Sequence, residues 1–417
     1  MKRCVVVGSG AREHALAWGL SRSAQVVVTP GNAGIAAHGF TCVDTDATEL
    51  DADLFVVGPE QPLVEGLADR LRAQGKRVVG PGAEGARLEG SKAYMKDFLA
   101  RAGVPSARYA SFSDEAAALA YLATMNAPYV IKTDGLAAGK GVLVTSDFEA
   151  ASRDVRDKLS GQAFGDAGTT VIIEEGLDGE ECSLIVLCDG HDVVALTPAQ
   201  DFKRVGDGDR GANTGGMGAY APMAMTPEQL LAVMDDIIAP TLAELARSGV
   251  NFRGVLYAGV MLGAAGPKLL EYNVRFGDPE TEVLVPLYGD QLYELLTRVA
   301  NGELARAMPI PAGAAVTVVL AAEGYPERPR RGAVIEGLGP DGQLATPLEG
   351  VTVFHAGTAR DVQGRFVTAG GRVLAVTGVG ADLAEARRRA YAGVGVVTFE
   401  GRVVRSDIAQ RAAKGDQ

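Results

Sequence analysis

The chain has 417 residues, which at about 150 residues per domain predicts two to four domains. A formal net charge of −12 argues against a general nucleic-acid binder and a polybasic membrane-surface protein, because both need a cationic face. Hydrophobic residues make up 47% of the chain and charged residues 22%, which excludes a disordered protein. The 54 glycines indicate many tight turns, or backbone that approaches a ligand closely.

The cysteines and the hydropathy pattern favour a cytoplasmic protein. The four cysteines form no CxxC pair, so neither a zinc site nor a disulfide framework is expected; they are Cys4, Cys42, Cys182 and Cys188. The N-terminus lacks the pattern of a signal peptide, and the longest apolar stretch, near residues 255–266, is too short to span a bilayer. We expect no membrane or nucleic-acid partner, and a monomer or a weak dimer.

Residues 1–87 predict alternating strands and helices. Apolar runs indicate strands at 4–7, 25–29, 54–57 and 77–79, and amphipathic runs indicate helices at 12–21 and 63–73. This alternation is typical of a parallel, doubly wound sheet. Because ligands of such sheets bind at the carboxyl ends of strands, the loops of interest are 8–13, 30–34 and 58–62.

The remaining chain is less regular and indicates an α+β arrangement. Residues 88–312 predict helices at 92–101, 115–125 and 227–247, strands at 129–132, 142–145, 170–174, 182–187, 255–262 and 268–273, and a polar glycine-rich stretch at 201–218. Residues 313–417 read as short strands with one helix at 383–392. We therefore expect a β-rich C-terminal region.

The first motif is Gly8-Ser9-Gly10-Ala11-Arg12-Glu13. It begins like a dinucleotide fingerprint, but Glu13 stands where the last glycine belongs, and no acidic residue ends the second strand. A nicotinamide cofactor is therefore disfavoured. Bare backbone amides at a helix N-terminus suit a single phosphate, and a simple strand-to-helix turn is an equally favoured reading.

The second motif lies between two predicted strands, from Lys132 to Val142. It is not a Walker A loop, because three residues instead of four separate Gly135 from Gly139, and Gly141 stands where a serine or threonine should be. Its small residues and its two lysines, Lys132 and Lys140, are nonetheless the ingredients of a triphosphate cradle that closes as a flap. The alternative is a flexible surface hairpin.

The third motif is Leu270–Glu280, which reads LEYNVRFGDPE. On a strand, Glu271, Asn273 and Arg275 share one face. Glutamate and asparagine supply the oxygen ligands that Mg²⁺ prefers, and arginine suits a phosphoryl group or an acyl phosphate. A solvated edge strand is the competing interpretation, but the acidic turn that follows, with Asp278, favours a site.

Two further segments decide nothing alone: the acidic run 174–181 and the glycine-rich stretch that contains Lys203 and Asn213–Gly218. Taken in order, however, the segments resemble the glycinamide ribonucleotide synthetase family of ATP-grasp ligases. The resemblance runs from residue 5 to about 377 and is carried by GSGAREHALAW, TPGNAG, VVGPEQPLVEGL, LEGSKAYMKDFLARAGVP, IKTDGLAAGKGV, FGDAG, VIIEEGLDGEECS, NTGGMGAY, LYAGVML, EYNVRFGDPETE, FHAGT and GGRVLAVT.

The resemblance implies a fold and a reaction. The implied fold has a Rossmann-like N-terminal domain at 1–87, an ATP-grasp module at 88–312 with a mobile lid at about 107–180, and a β-rich C-terminal domain at 313–417. The implied reaction joins glycine to 5-phosphoribosylamine at the expense of ATP, through a glycyl phosphate, and yields glycinamide ribonucleotide, ADP and phosphate. This is an early step of purine biosynthesis and uses Mg²⁺ or Mn²⁺.

The resemblance also assigns residues. For ATP it implies phosphate contacts by Lys92 and Lys132. The loop with Gly135, Gly139, Lys140 and Gly141 would cover the phosphates. Glu174 and Glu175 would lie at the adenine, Leu177 would supply a backbone contact there, and Glu181 would bind the ribose hydroxyls. Glu271 and Asn273 would hold the metal, and Ala258 stands where some ATP-grasp ligases have a further acid.

For the other substrates, the resemblance implies that the ribose phosphate binds at residues 8–13, with Gly8, Ser9, Gly10, Arg12 and Glu13, and that Glu60 lies near the sugar. The segment with Asn213, Gly215 and Gly216 would help to enclose the substrates. Arg275 would stabilise the acyl phosphate and the oxyanion, and Asp278 would bind the amino group of glycine. Family members often have histidine where this chain has Phe202, which leaves Asp201 or Asp278 to accept the amine proton.

Three rival functions remain at this point. A sister ATP-grasp enzyme that activates bicarbonate, such as carboxyaminoimidazole ribonucleotide synthetase, would lack the RFGDPE segment. A non-catalytic nucleotide-binding regulator would be expected to have lost Glu271 and Asn273. A nicotinamide-dependent dehydrogenase is disfavoured by Glu13. For His14, a contact with the phosphate and an ordinary position on the helix surface are equally favoured. For His355, a structural role is favoured.

Overall fold

The computed structural model describes residues 2–135, 141–160, 170–305 and 309–415. The N-terminal sheet is parallel, with strand order β3-β2-β1-β4-β5, and its strands are β1 (Arg3–Gly8), β2 (Gln25–Pro30), β3 (Thr41–Cys42), β4 (Leu54–Val57) and β5 (Val78–Val79). Its helices are α1 (Ala11–Leu20), α2 (Ala33–Ala37), α3 (Glu60–Val64), α4 (Leu67–Ala73) and α5 (Ala83–Gly90). The predicted doubly wound arrangement is confirmed.

Two predicted helices are interrupted. The helix predicted at 63–73 is wrong as a single element, because Gly66 adopts φ +77° and separates α3 from α4. The helix predicted at 227–247 consists of α9 (Pro227–Val233), a π-helical turn at Met234–Ile238 and α10 (Ala239–Arg247). Pro240, in the first turn of α10, has no N–H to donate, which accounts for the break in the regular hydrogen-bond ladder.

A second, antiparallel sheet has a small hydrophobic core of its own. Its order is β6-β9-β7-β8, and its strands are β6 (Tyr109–Phe112), β7 (Tyr129–Thr133), β8 (Val142–Thr145) and β9 (Val171–Glu175). The helix α6 (Lys92–Ala102) precedes it, and α7 (Glu115–Leu122) and α8 (Phe148–Leu159) cover it. We call residues 107–180 the lid unit.

A third, antiparallel sheet carries the EYNVRF motif. Its order is β11-β10-β16-β17, with β10 (Glu180–Asp189), β11 (Val193–Ala195), β16 (Arg253–Gly263) and β17 (Gly266–Asn273). Across the β16–β17 pair, Glu271 faces Gly259 and Asn273 faces Tyr257. The helices α11 (Thr281–Tyr288) and α12 (Leu292–Asn301) follow, and they join this sheet to the N-terminal sheet in one buried cluster.

The C-terminal sheet includes two strands from the glycine-rich stretch of the middle region. Its order is β12-β15-β18-β22-β19, with β12 (Gln200–Asp201), β15 (Gly218–Ala221), β18 (Ala314–Ala321), β19 (Val351–His355) and β22 (Arg372–Gly380), and α13 (Leu383–Val396) packs on it. Two hairpins complete the fold, β13 (Arg204–Gly206) with β14 (Arg210–Asn213), and β20 (Thr358–Arg360) with β21 (Phe366–Thr368). The predicted β-rich character of this region is confirmed.

The buried histidines link the N-terminal and C-terminal sheets. His14 is fully buried, its Nε2 lies 2.8 Å from His38 Nδ1, and its Nδ1 accepts the backbone N–H of His355 at 2.9 Å. The helix-surface reading of His14 is therefore wrong, whereas the structural reading of His355 agrees with the contacts. None of the described helices is long and apolar enough to cross a lipid bilayer.

Candidate active site

Two cavities meet at the centre of the molecule. The smaller cavity has a volume of about 370 Å³ and lies between the N-terminal sheet and the loop after β17. The larger cavity has a volume of about 960 Å³ and lies between the lid unit, the third sheet and the C-terminal segment. Their shared wall consists of Lys132, Val142, Asp201, Lys203, Thr214 and Glu271. A group bound at this wall is open to ligands from both sides.

Several predicted ATP residues line the larger cavity, namely Lys132, Glu174, Glu175, Leu177 and Glu181. Lys92 and Gly141 line the smaller one, and Lys92 Nζ donates to the carbonyl of Gly135 at 2.8 Å. Burial lowers the pKa of Lys92. The predicted contacts of Gly139 and Lys140 lie outside the described residues.

Glu174, which lines the larger cavity, is the shared partner of two lysines. Its Oε2 is 3.1 Å from Lys132 Nζ and 3.2 Å from Lys96 Nζ. Lys96 is completely buried, and this burial lowers its pKa to about 8 against the opposing attraction of Glu174. The sequence reading missed Lys96, although its spacing of four residues from Lys92 on α6 places both lysines on one helix face.

The wall between the cavities concentrates charge. Lys203 Nζ lies 3.2 Å from Glu181 Oε2 and 3.9 Å from Glu271 Oε1. Burial opposes the ionisation of Glu271, but Lys203, Lys132 and other nearby cations outweigh it and hold the pKa of Glu271 below its usual value. Glu271 is therefore held as a carboxylate at the wall that the two cavities share.

Asp201 lies on the same wall, but its pKa is raised, whereas the pKa of Glu271 is lowered. Burial raises its pKa to about 8; Lys203 opposes this shift, while the nearby carboxylates of Glu280, Glu181 and Glu271 add to it. A carboxylate with a pKa near neutrality, open to both cavities, has the properties of a general base.

Arg275 is held between two carboxylates of the N-terminal half. Its NH2 lies 2.8 Å from Glu89 Oε1 and 3.1 Å from Asn273 Oδ1, and its Nε lies 3.3 Å from Glu60 Oε2. Burial opposes the charge of Arg275, but Glu89 and Glu60 raise its pKa. Glu89, which also accepts the N–H of Val274 at 2.8 Å, was not among the predicted site residues.

Asp278 is joined to the C-terminal sheet through Arg372. The NH1 of Arg372 lies 3.1 Å from Asp278 Oδ1 and donates to the carbonyls of Asp278 at 2.7 Å and Gly215 at 2.6 Å. Gly215 and Asp278 line the smaller cavity, Asn213 lines the larger one, and Gly216 contacts Pro279 instead. Arg372, which lies in the GGRVLAVT segment and lines the smaller cavity, was not among the predicted site residues.

The Gly8–Glu13 turn is filled by one of its own side chains. Glu13 is buried, and its carboxylate accepts the N–H of Gly10 at 2.6 Å and the Nε–H of Arg12 at 2.6 Å. A Cβ on Gly8 or Gly58 would collide with this carboxylate. Arg12 and Glu60 line the smaller cavity, and the Gly10 amide is paired with the Glu13 carboxylate of the same turn.

Phe202 is held by packing. Its ring lies 4.9 Å from the guanidinium carbon of Arg405 and 6.2 Å from the ring of Tyr220. Arg405 is completely buried and pairs with Asp209 at 2.8 Å and Asp407 at 2.7 Å. Residues 409–412 then line the larger cavity, a contribution that no motif in the C-terminal sequence predicted.

Comparison with known proteins decides the family. Three family models match successive parts of the chain: phosphoribosylglycinamide synthetase N domain at residues 2–89, ATP-grasp (A) domain at 90–281 and C domain at 315–411. The chain belongs to the phosphoribosylglycinamide synthetase family. The expected family and architecture are thereby confirmed.

Curated relatives of this synthetase family extend over the whole chain. A phosphoribosylamine–glycine ligase of Xylella fastidiosa is 47% identical over 431 residues, with 98% of each chain covered. One of Escherichia coli is 46% identical over 435 residues, with both chains fully covered. A trifunctional purine biosynthetic protein of Gallus gallus is 46% identical, and the match covers 42% of its length.

Solved structures agree with the synthetase family. The crystal structure of phosphoribosylamine–glycine ligase from Thermotoga maritima is 36% identical and has a TM-score of 0.85, covering 98% of this chain and all of that one. A biotin carboxylase domain from Hydrogenobacter thermophilus, crystallised with MgADP, has a TM-score of 0.72 at 18% identity and covers 97% of this chain and 91% of that one. This second likeness concerns the fold alone.

Some residues beside the site come together only in the folded chain. Ser183 donates from Oγ to Glu280 Oε1 at 2.9 Å and lies 3.0 Å from the hydroxyl of Tyr257. These residues come from β10, β16 and the loop after β17, and only the pairing of strands brings them together. The described residues contain no group of three or more His, Cys, Asp or Glu that could hold a metal ion.

Proposed function

We propose that this protein ligates glycine to 5-phosphoribosylamine with hydrolysis of ATP to ADP and phosphate, forming glycinamide ribonucleotide. The observation that carries the proposal is the shared wall of the two cavities, where Lys132 and Lys203 meet Glu271. A nucleotide in the larger cavity would place its terminal phosphate at this wall, and a small carboxylate in the smaller cavity would meet it there. The full-length relatives named as this ligase support the same reaction.

The proposed chemistry has two steps. A carboxylate oxygen of glycine attacks the γ-phosphorus of ATP, the bond to the β-phosphate oxygen breaks, and ADP leaves. The amine of phosphoribosylamine then attacks the acyl carbon, phosphate leaves, and the amine loses a proton. Phosphoryl transfer depends mainly on positioning and charge neutralisation, which Lys92, Lys132 and Arg275 supply.

The residues Glu271 and Asn273 fit a divalent cation. They present a carboxylate and an amide oxygen, the donor types that Mg²⁺ and Mn²⁺ prefer, beside the wall where the phosphates would lie. A cation held there would neutralise charge on the transferred phosphoryl group. Asn273 Oδ1 also accepts from Arg275, so the same side chain orients the arginine.

We assign the substrates to the two cavities. Adenosine would bind in the larger cavity against Glu175, Leu177 and Glu181. Arg12 and Glu60 would bind phosphoribosylamine in the smaller cavity, with the Gly8–Gly10 turn behind them. Asp278 would bind the ammonium group of glycine, because its carboxylate lines that cavity and Arg372 fixes its position.

We assign acceptance of the amine proton to Asp201. Asp278 is paired with Arg372 at 3.1 Å and is already assigned to the ammonium group of glycine, so a different carboxylate is needed for the proton. Asp201 has a pKa raised to about 8 by burial and lies on the wall where the second step would occur. Of the two carboxylates that the sequence analysis left open, we therefore propose Asp201.

We further propose that the lid unit closes over ATP, and that the domains divide near residues 87 and 312. A separate core in the lid unit lets it move as a body, and closure would protect the acyl phosphate from water. The four cysteines are free thiols, which suits the reducing cytoplasm that we propose as the location.

The test is phosphate release from ATP with phosphoribosylamine generated in the assay. We expect release to require glycine, phosphoribosylamine and Mg²⁺ together, with one glycinamide ribonucleotide formed per phosphate. As a control, the double variant E271Q and N273A should release phosphate more slowly than the wild type and should need a higher Mg²⁺ concentration for half-maximal release. Release that ignores glycine or responds to bicarbonate would reassign the chain to a sister ATP-grasp reaction.

A further inference from the structure

Glu282 is a buried carboxyl group that no neighbouring donor satisfies. It lies in the first turn of α11, is 0% exposed, and neither Oε1 nor Oε2 accepts a hydrogen bond within the described part of the chain. In that same part, it is the only residue with two such orphaned side-chain atoms. The predicted site did not include it, and the proposed reaction does not use it.

The described groups around Glu282 provide no second positive charge to pair with it if it were ionised beside the carboxylate of Asp278. Asp278 precedes it by four residues and already pairs at 3.1 Å with Arg372, a cation that also acts on Glu282. Glu280 is a further carboxyl group, satisfied by Ser183, and the hydroxyl of Tyr325 accepts the N–H of Gly215 at 3.0 Å. An ionised Glu282 would be an unpaired buried charge, which is strongly unfavourable.

The start of α11 does not change this conclusion. A helix N-terminus favours a carboxylate, but it acts as a partial charge over one turn only. The burial of Glu282 and the adjacent Asp278 carboxylate act in the other direction and hold the pKa of Glu282 well above its ordinary value.

We propose that Glu282 is a neutral carboxylic acid in the folded protein and donates its hydrogen to the carboxylate of Asp278. It is a positioning residue: Arg372 from β22 and Glu282 from α11 would orient Asp278 from two sides. Asp278 would then keep its negative charge toward the smaller cavity, where its Oδ2 lies 3.7 Å from the position of a Cβ built on Gly10. Only the glycine-binding role of Asp278 rests on the proposed function.

The first experiment measures the proton on Glu282 without reference to activity. Urea unfolding of the wild type and of E282Q is compared between pH 5.5 and 7.5. The unfolded chain ionises Glu282 and the folded chain does not, so the wild type loses stability relative to E282Q as the pH rises. The ratio of their unfolding constants should change about tenfold per pH unit, which corresponds to one proton.

The matched control is E115Q, which makes the same change at a partly exposed glutamate in the first turn of α7. For E115Q, a ratio that does not change with pH is expected. A ratio for E282Q that is also independent of pH would show an ionised Glu282 and overturn the proposal. Failure of E282Q to fold would overturn it too, because an amide of the same shape should replace a neutral acid.

The second experiment tests the positioning role. E282Q retains a donor for Asp278, and Glu282→Leu does not, although both fill the space. We expect E282Q to stay within about threefold of the wild type, and E282L to raise the KM for glycine roughly tenfold or more with the KM for ATP unchanged. Equal effects on both KM values would indicate a merely structural role. A wild type without ligase activity would refute the proposed function and leave the unfolding result standing.

Discussion

Lys96 and Glu174 form a buried ion pair at the edge of the larger cavity, with 3.2 Å between Nζ and Oε2. Lys132 competes for the same carboxylate oxygen from 3.1 Å. Because Glu174 interacts with both lysines, its interaction with Lys132 is weaker than in a single ion pair. Lys132 can therefore also interact with a phosphate group. Removal of Lys96 would leave Glu174 to bind Lys132 alone.

Lys96→Met should therefore raise the KM for ATP about tenfold, the effect of about one charged hydrogen bond, with little change in the KM for glycine. Because the pKa of Lys96 is about 8, the KM for ATP of the wild type should also rise above pH 8, whereas that of K96M should stay constant. Initial rates at varied ATP from pH 7 to 9.5 test this. Lys2→Met, which removes an exposed lysine over Tyr293, serves as the control and should match the wild type throughout.

Arg275→Lys should lower kcat by roughly 10² to 10³, the loss typical of one donor to a developing oxyanion. Lysine keeps the charge, but it cannot contact Glu60, Glu89 and Asn273 at once as the guanidinium does. Single-turnover kinetics with radiolabelled ATP measure the step. The exposed Arg298, which pairs with Glu294 at 2.7 Å, provides the control R298K. Normal turnover by R275K would remove Arg275 from the reaction.

Asp201→Asn should separate the two chemical steps. Formation of the acyl phosphate needs no base, so D201N should still form it reversibly from ATP and glycine. In oxygen-labelled ATP, this reversal exchanges the β–γ bridge oxygen with the non-bridge oxygens of the β-phosphate, and we expect this exchange to persist. Attack by the amine should slow by about 10² to 10⁴, the usual contribution of a general base. The kcat/KM of the wild type should increase as the pH rises toward 8, and this increase should be absent in D201N. If D201N kept the increase of kcat/KM with pH, another group would be the base.

Acid should destabilise the protein through the buried histidines. Burial lowers the pKa of His355 to about 4 and that of His14 well below 6.5. The unfolded chain therefore binds more protons than the folded chain between pH 4 and 6.5, so stability is present above this window and falls as the pH falls through it. Thermal unfolding at pH 7, 6 and 5 measures the slope.

His355→Asn should reduce that slope by about one proton, even if the variant is less stable at pH 7. The exposed His191, whose backbone N–H binds Asp189 at 2.9 Å, offers the control H191N, which should keep the wild-type slope. Equal slopes for H355N and the wild type would mean that His355 is already protonated in the folded protein.

Local pattern accounts for most of what the sequence predicted correctly. Alternating apolar runs predicted the parallel sheet of residues 3–79 because strands buried on both faces must be apolar. The two-residue repeat of a strand predicted that Glu271 and Asn273 share a face, and both line the smaller cavity. Family resemblance then supplied the reaction, which neither periodicity nor composition contains.

Long-range packing decided the rest. Lys96, Glu89 and Arg372 reach the site only through folding, since their partners are 78, 186 and 94 residues away in sequence. Whether a carboxyl group keeps its proton depends on burial and on neighbouring charges, and these separate Asp201 from Glu271 although both are acids on one wall. The sequence by itself determined which chemical groups are present and which strands carry them; only the tertiary structure decided their charges and partners, because desolvation and Coulomb interactions act through space.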